Sequence, residues 1–254
     1  MEGMSPDGRI GRTVFLFPAS ASPHPGTGWE LLAAFPVFTE ALDAICARLD
    51  PYLELPLKSV LCLADRAQRP ALVERVSFSG PAVFALQAAQ YRLLQSWGLQ
   101  PDVLFGHAAG RMGAAFAAGV FSLAEACHAV GTLARLLSSL PDTEPGSPHL
   151  DHALKAYGRT LATLHPQPPR LPLVSDVTAR PVGAETRDPE FWIPRSPVRV
   201  ADAVELLHQQ GVRTWLELGP GDLLTRVLPR CPPDGPVTAF AMARDWPLLQ
   251  AGPL

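Results

Sequence analysis

Apolar positions along this chain switch between two spacings, and the switching predicts strands alternating with helices. Thr13 to Pro18 is a short apolar run stopped by proline, the pattern of a buried strand. Trp29 to Leu49 carries Leu32, Phe35, Phe38, Leu42, Ile45 and Leu49 at helical spacing. Ser79 to Trp97 does the same through Val83, Leu86, Ala89, Leu93 and Leu94, and Gly98 is placed to end that helix. A strand at 102–105 follows. Ser122 and Glu125 have the spacing of a capping box, which opens a helix running to Leu140. Beyond it, His149–Leu164 and Ala201–Gln210 read as helices, and Leu171–Val177 and Thr214–Leu218 as strands. Asp222–Leu228 begins a last helix and Pro236–Met242 is a closing strand. This order predicts an α/β fold with a mostly parallel sheet and helices on both faces.

Composition narrows the picture. A chain of 254 residues that is 47% hydrophobic and 18% charged has the material for one folded domain. Its 21 basic and 24 acidic residues give no electrostatic case for nucleic acid or an anionic membrane surface. No apolar run reaches the about 18 residues of a membrane span. Met1 to Thr13 lacks an apolar signal region, so a cytoplasmic location is expected. Cys46, Cys62, Cys127 and Cys231 are far apart and lack ligand spacing, which suits reduced, mostly buried thiols; no metal or cofactor is expected. The expected division is a flexible segment 1–12, one α/β domain 13–243 and a C-terminal tail 244–254.

The chemistry concentrates at residues 104–110, Leu-Phe-Gly-His-Ala-Ala-Gly. An apolar run meets Gly106 and Gly110, and small residues suited to a helix follow. That is the layout of a nucleophile elbow, G-x-S-x-G, in which a tight strand-to-helix turn exposes a reactive hydroxyl. Here the elbow position is Ala108. A methyl group cannot act as a nucleophile.

Further blocks occur around this turn in one order: Phe17-Pro18, Trp29-Glu30-Leu31, Ala34-Phe35-Pro36-Val37-Phe38, Pro81 to Gln87, and Trp97 to Asp102. Gly106-His107, Pro172 to Thr178, Asp188 to Trp192 and Glu217-Leu218-Gly219-Pro220 complete the series. Together they resemble the acyltransferase domain of modular polyketide synthases and the malonyl-CoA:acyl carrier protein transacylases, from about Thr13 to Met242. The resemblance implies the α/β-hydrolase-like large subdomain of that family. It also implies where the reactive groups fall. The nucleophilic serine falls on Ala108 and the general-base histidine of a His-Ser-Pro segment on Gly146. The arginine that pairs with a malonyl carboxylate falls on Leu133, and the glutamine of an N-terminal loop on Ser20. A further glutamine is Gly80, the glutamate after the elbow is Arg111, and a histidine after Gly219-Pro220 is Gly221. The small ferredoxin-like lid of the family is expected to be absent, since Ser138 to Pro145 alone joins Leu137 to Gly146, and eight residues make only a loop.

His107 is the pocket residue retained beside the elbow, either as a leftover acid or base or as a side chain that fixes the turn. Arg111 opens a helix and is a candidate for a carboxylate or phosphate, with a surface arginine as the alternative. His149 lies just past the vacated histidine position and is the candidate for a shifted base. His24, His128, His165 and His208 are expected at the surface.

The leading reading is a catalytically degenerate acyltransferase-like protein of polyketide biosynthesis, a scaffold or binding partner of an acyl carrier protein or synthase subunit. One alternative is an enzyme acting on an acyl or polyketide intermediate in an open cleft. Another is a malonyl or acyl transferase carrying an engineered serine-to-alanine change.

Overall fold

In the computed structural model the described residues are 11–19, 29–62, 75–141, 144–194, 198–222, 224–225 and 237–251. Five strands form one sheet: β1 (Arg12–Phe17), β2 (Val103–Gly106), β3 (Leu173–Ser175), β4 (Val212–Glu217) and β5 (Thr238–Ala241). Their order is β3-β2-β1-β4-β5 and every pairing is parallel. β1 is central, with Phe15 opposite Leu104 on one side and Leu216 on the other.

The alternation of side chains along β1 divides the core in two. Phe15 and Phe17 join the larger cluster on one face, and Val14 and Leu16 the smaller one on the other. Ten helices surround the sheet among the described residues: α1 (Trp29–Ala34), α2 (Pro36–Leu49), α3 (Leu57–Leu61), α4 (Val76–Ser96), α5 (Arg111–Ala117), α6 (Leu123–Ser138), α7 (Pro148–Leu161), α8 (Pro189–Trp192), α9 (Val200–Gln209) and α10 (Met242–Ala251). Phe38, Leu42, Phe84 and Ala129 of α2, α4 and α6 belong to the larger cluster, and Ala203, Val204 and Leu207 of α9 to the smaller. The chain is therefore an α/β domain with a parallel sheet flanked by helices.

Three elements depart from the sequence reading. The helix expected over 29–49 is two helices, because Phe35 takes extended backbone (φ −129°, ψ 105°) ahead of Pro36, the first residue of α2. The strand expected over 171–177 is only Leu173–Ser175, since the chain then turns sharply and Ser175 N–H donates to the Arg180 carbonyl at 2.9 Å. The segment expected as a tail is α10. Asp245 accepts the Ala241 N–H at 2.9 Å, and Met242 and Leu249 are buried. Residues 1–10 lie outside the described residues, as do most of 223–236, so the first segment and the helix expected to reach Leu228 are not described.

Two histidines expected at the surface are half-buried against aromatic side chains. His128 Nδ1 and the Tyr52 hydroxyl are 2.7 Å apart, and His208 packs against the Trp215 ring at 4.7 Å between centroids. Burial lowers the pKa of His208, helped by the nearby Arg213 charge and opposed by a hydrogen bond with Val212. Cys46 and Cys127 are buried, and burial pushes each thiol up to about 12.

Candidate functional site

The turn after β2 is built by close approach. His107 N–H donates to the Phe17 carbonyl at 2.8 Å, tying the turn to the end of β1. A Cβ on Gly110 would collide with that same carbonyl, and one on Gly106 would lie 2.7 Å from the Ala114 side chain. Only glycine fits either place. Between them, Ala108 takes the left-handed conformation at φ +47° and stands exposed at the crest. That conformation costs an ordinary residue about 1–2 kcal/mol. The strained strand-to-helix elbow is present, with a methyl group at its tip.

Asp176, at the end of β3, holds the elbow from below. It is 1% exposed. Its Oδ2 accepts the Ala108 N–H at 2.9 Å and lies 3.3 Å from His107 Nδ1; its Oδ1 is 3.4 Å from Arg111 Nε. Arg111 also donates to the Phe191 carbonyl, and its guanidinium lies 5.1 and 5.9 Å from the centroids of the Phe191 and Trp192 rings. The arginine proposed from the sequence as an anion ligand is thus engaged by a carboxylate of its own chain. His107 is fixed against the same carboxylate.

Above the elbow lies a cleft of about 270 Å³. Ala108, Ala109, Arg111 and Met112 form its floor, with Gly80 of α4 and Val130, Leu133 and Leu137 of α6 on its walls. Tyr157 of α7, Asp176 and Trp192 also line it. Three positions from distant parts of the chain, Gly80, Ala108 and Leu133, therefore meet at one place. Tyr157 is 2% exposed, and its hydroxyl makes no hydrogen bond among the described residues. Burial raises its pKa, and the nearby Arg111 charge offsets part of that.

Other candidates stand apart. Gly146 is exposed at φ +85°, in the turn before α7, where Ser147 caps the helix by accepting the Leu150 N–H at 3.2 Å. His149 is exposed on the first turn of that helix, and neither residue is among those lining the cleft. The structure thus does not bring His149 to the elbow as a shifted base. Ser20 lies outside the described residues. Among the described residues no cluster of histidine, cysteine or carboxylate groups could hold a metal ion, and no helix is long and apolar enough to cross a membrane.

Asp176 and Tyr157 were not singled out from the sequence. Asp176 had one available signal, a carboxylate immediately after a strand that pairs with the elbow strand, where parallel sheets gather their functional groups. Tyr157 had none, since an aromatic residue on an amphipathic helix reads as core.

Comparison with known proteins places the chain in a family. The acyl transferase domain profile matches residues 14–146, more than half of the chain, and the chain belongs to that family. The spectinabilin polyketide synthase system protein NorB of Streptomyces orinoci is 31% identical over 300 aligned positions, covering 91% of this chain and 14% of that protein. The chain spans 4% to 17% of the length of the curated relatives it matches. Among solved structures, the acyltransferase domain from the second module of the salinomycin polyketide synthase superposes with a TM-score of 0.81 at 26% identity, over 96% of this chain and 72% of that one. A malonyl-transacylase solved in complex with its type II polyketide acyl carrier protein has the same fold, with a TM-score of 0.77 at 19% identity over 94% of this chain and 98% of that one.

Proposed function

We propose that this chain is a non-acylating member of the acyltransferase family that serves polyketide biosynthesis as a binding partner of an acyl carrier protein or synthase subunit. The observation that carries the reading is the methyl group of Ala108 at the crest of an otherwise complete elbow. An acyl-enzyme ester needs a hydroxyl there. Leu133, where the resemblance expects a carboxylate-binding arginine, supports the reading by lining the cleft with an apolar side chain. Gly146, where it expects the base, supports it by lying outside the cleft lining. Losing the nucleophile alone fits an engineered change; losing all three fits a chain released from that reaction.

The absence of the lid belongs to the same proposal. Ser138 of α6 and Pro148 of α7 are only ten positions apart in sequence, and the two helices pack against each other. The 300 positions aligned with the spectinabilin relative exceed the 254 residues here, so that relative carries residues without a counterpart in this chain. A cleft without a lid admits water, and preorganised charge stabilisation weakens in water.

A carrier or synthase partner follows from the relatives, which are synthases, and from the transacylase of this fold solved with its carrier protein. The test is affinity capture with the tagged chain in a polyketide-producing host, followed by a binding titration with purified holo carrier proteins of that host. Saturable binding to a carrier protein or synthase subunit supports the proposal. Recovery of the chain with neither class of partner refutes it.

A further inference from the structure

We propose that the cleft above the elbow is a docking pocket for one tryptophan side chain of a partner protein, with the indole N–H donating to Asp176 Oδ1. The inference rests on the reading of this chain as a binding partner of other proteins, and it names the surface and the anchoring group.

Three observations select that group. The first is an acceptor without a donor. Asp176 lines the cleft, and its Oδ1 is buried without a hydrogen-bond partner among the described residues. The 3.4 Å approach of Arg111 Nε gives that oxygen a counter-charge but no hydrogen bond. A buried oxygen left in this state is costly, and a donor arriving from outside removes the cost. The second observation is charge. Asp176 and Arg111 already face each other in the cleft. A lysine or arginine donor would meet Arg111, and a carboxylate would meet Asp176. The incoming donor is therefore neutral.

The third observation is size and lining. Val130, Leu133 and Leu137 make an aliphatic wall, Met112 lies on the floor and Trp192 adds an aromatic ring. Burying a ring against them is favourable in proportion to the area removed from water. At roughly 30 Å³ for each water-sized group, 270 Å³ holds about nine non-hydrogen atoms, the number in an indole ring. Phenylalanine and leucine bring no donor, and the smaller phenol of tyrosine leaves part of the space unfilled. The indole nitrogen only donates, which matches a carboxylate oxygen that only accepts. Tryptophan is also enriched among the side chains that anchor protein interfaces in desolvated pockets. Ala108 and Ala109 line the cleft and are exposed, so the ring can enter from the crest of the elbow.

The experiment compares two isomers by calorimetric titration of the full chain. 3-Methylindole is the tryptophan side chain as a free molecule, and 1-methylindole has the same atoms but no N–H. 3-Methylindole is expected to bind about tenfold more tightly than its isomer. Leu133→Arg, which puts a long charged side chain into the cleft, is expected to weaken 3-methylindole binding about tenfold or more while keeping a cooperative thermal transition. In the affinity capture from the polyketide-producing host, 3-methylindole is expected to release the bound carrier protein or synthase subunit, and 1-methylindole at the same concentration to leave it bound. Equal binding of the two isomers overturns the inference and leaves the proposed function standing. So does a folded Leu133→Arg chain that binds 3-methylindole as well as the original, or a captured partner that stays bound at saturating 3-methylindole. Capture of neither class of partner overturns both. The isomer comparison uses the original chain alone, so it decides the matter even where Leu133→Arg does not fold.

Discussion

Asp176 Oδ2 accepts the main-chain N–H of Ala108 at 2.9 Å, so the carboxylate at the end of β3 fixes the residue at the tip of the elbow after β2. The same side chain faces His107 Nδ1 and Arg111 Nε from a position that is 1% exposed. Removing it leaves the Ala108 N–H without its acceptor and a largely buried guanidinium without its counter-charge. Asp176→Ala is expected to lower stability by about 3–5 kcal/mol. Asp176→Asn, which keeps an acceptor for Ala108, is expected to cost less. Urea unfolding monitored by circular dichroism checks both, and a wild-type midpoint for the alanine variant contradicts this role.

The elbow's two backbone demands have opposite signatures. Ala108 at φ +47° is strained, and glycine is not strained there, though it loses more freedom on folding. Ala108→Gly is expected to gain about 0.5–1 kcal/mol of stability in the same unfolding assay. Gly110→Ala places a Cβ against the Phe17 carbonyl and is expected to yield little soluble folded protein. A destabilised Ala108→Gly, or a stable Gly110→Ala, contradicts the geometry.

Acid should loosen the face of the sheet that carries α9. His208 packs on Trp215, and burial, first among its causes, lowers its pKa from 6.5. The unfolded chain therefore takes up a proton before the folded one does. The stabilising contribution of neutral His208 is complete above about pH 6.5 and is lost as pH falls through the lowered folded value. Thermal midpoints of the original chain and of His208→Leu, measured from pH 8 to pH 5, check this. The histidine chain is expected to lose more stability over that range than the leucine variant.

The capping box at the start of α6 gives a local test. Ser122 Oγ accepts the Glu125 N–H at 3.2 Å, and Glu125 Oε2 accepts the Ser122 N–H at 2.9 Å. Ser122→Ala is expected to cost about 1 kcal/mol in chemical unfolding. No measurable loss would place the cap's worth elsewhere.

Much of this fold was written in local pattern. The central strand, the helix opened by Ser122 and Glu125, and the elbow between Gly106 and Gly110 are set by short-range chemistry, and each lies within about two residues of its expected place. The break at Phe35 was available in Pro36, but the apolar spacing of Leu32, Phe35 and Phe38 runs straight through it and masks the change of direction. Helix α10 carries Pro247 inside it, so no regular pattern marks it in the sequence; the burial of Met242 and Leu249 holds it against the fold. The cleft was legible only in part. Ala108 stood out because one motif names its position. Leu133 and Gly80 were tied to it by resemblance, since no local pattern joins residues on three different helices and turns. Asp176, Tyr157, His128 and His208 take their roles from neighbours that only the folded chain supplies.

The central claim is that the crest of the elbow carries no group able to form an ester. Incubation of the purified chain with acyl thioesters of coenzyme A, followed by intact-protein mass spectrometry and peptide mapping, tests it directly. An unchanged mass with malonyl and octanoyl donors is the result this account predicts. A stoichiometric acyl adduct on the native chain, mapped to any side chain lining the cleft, would contradict it.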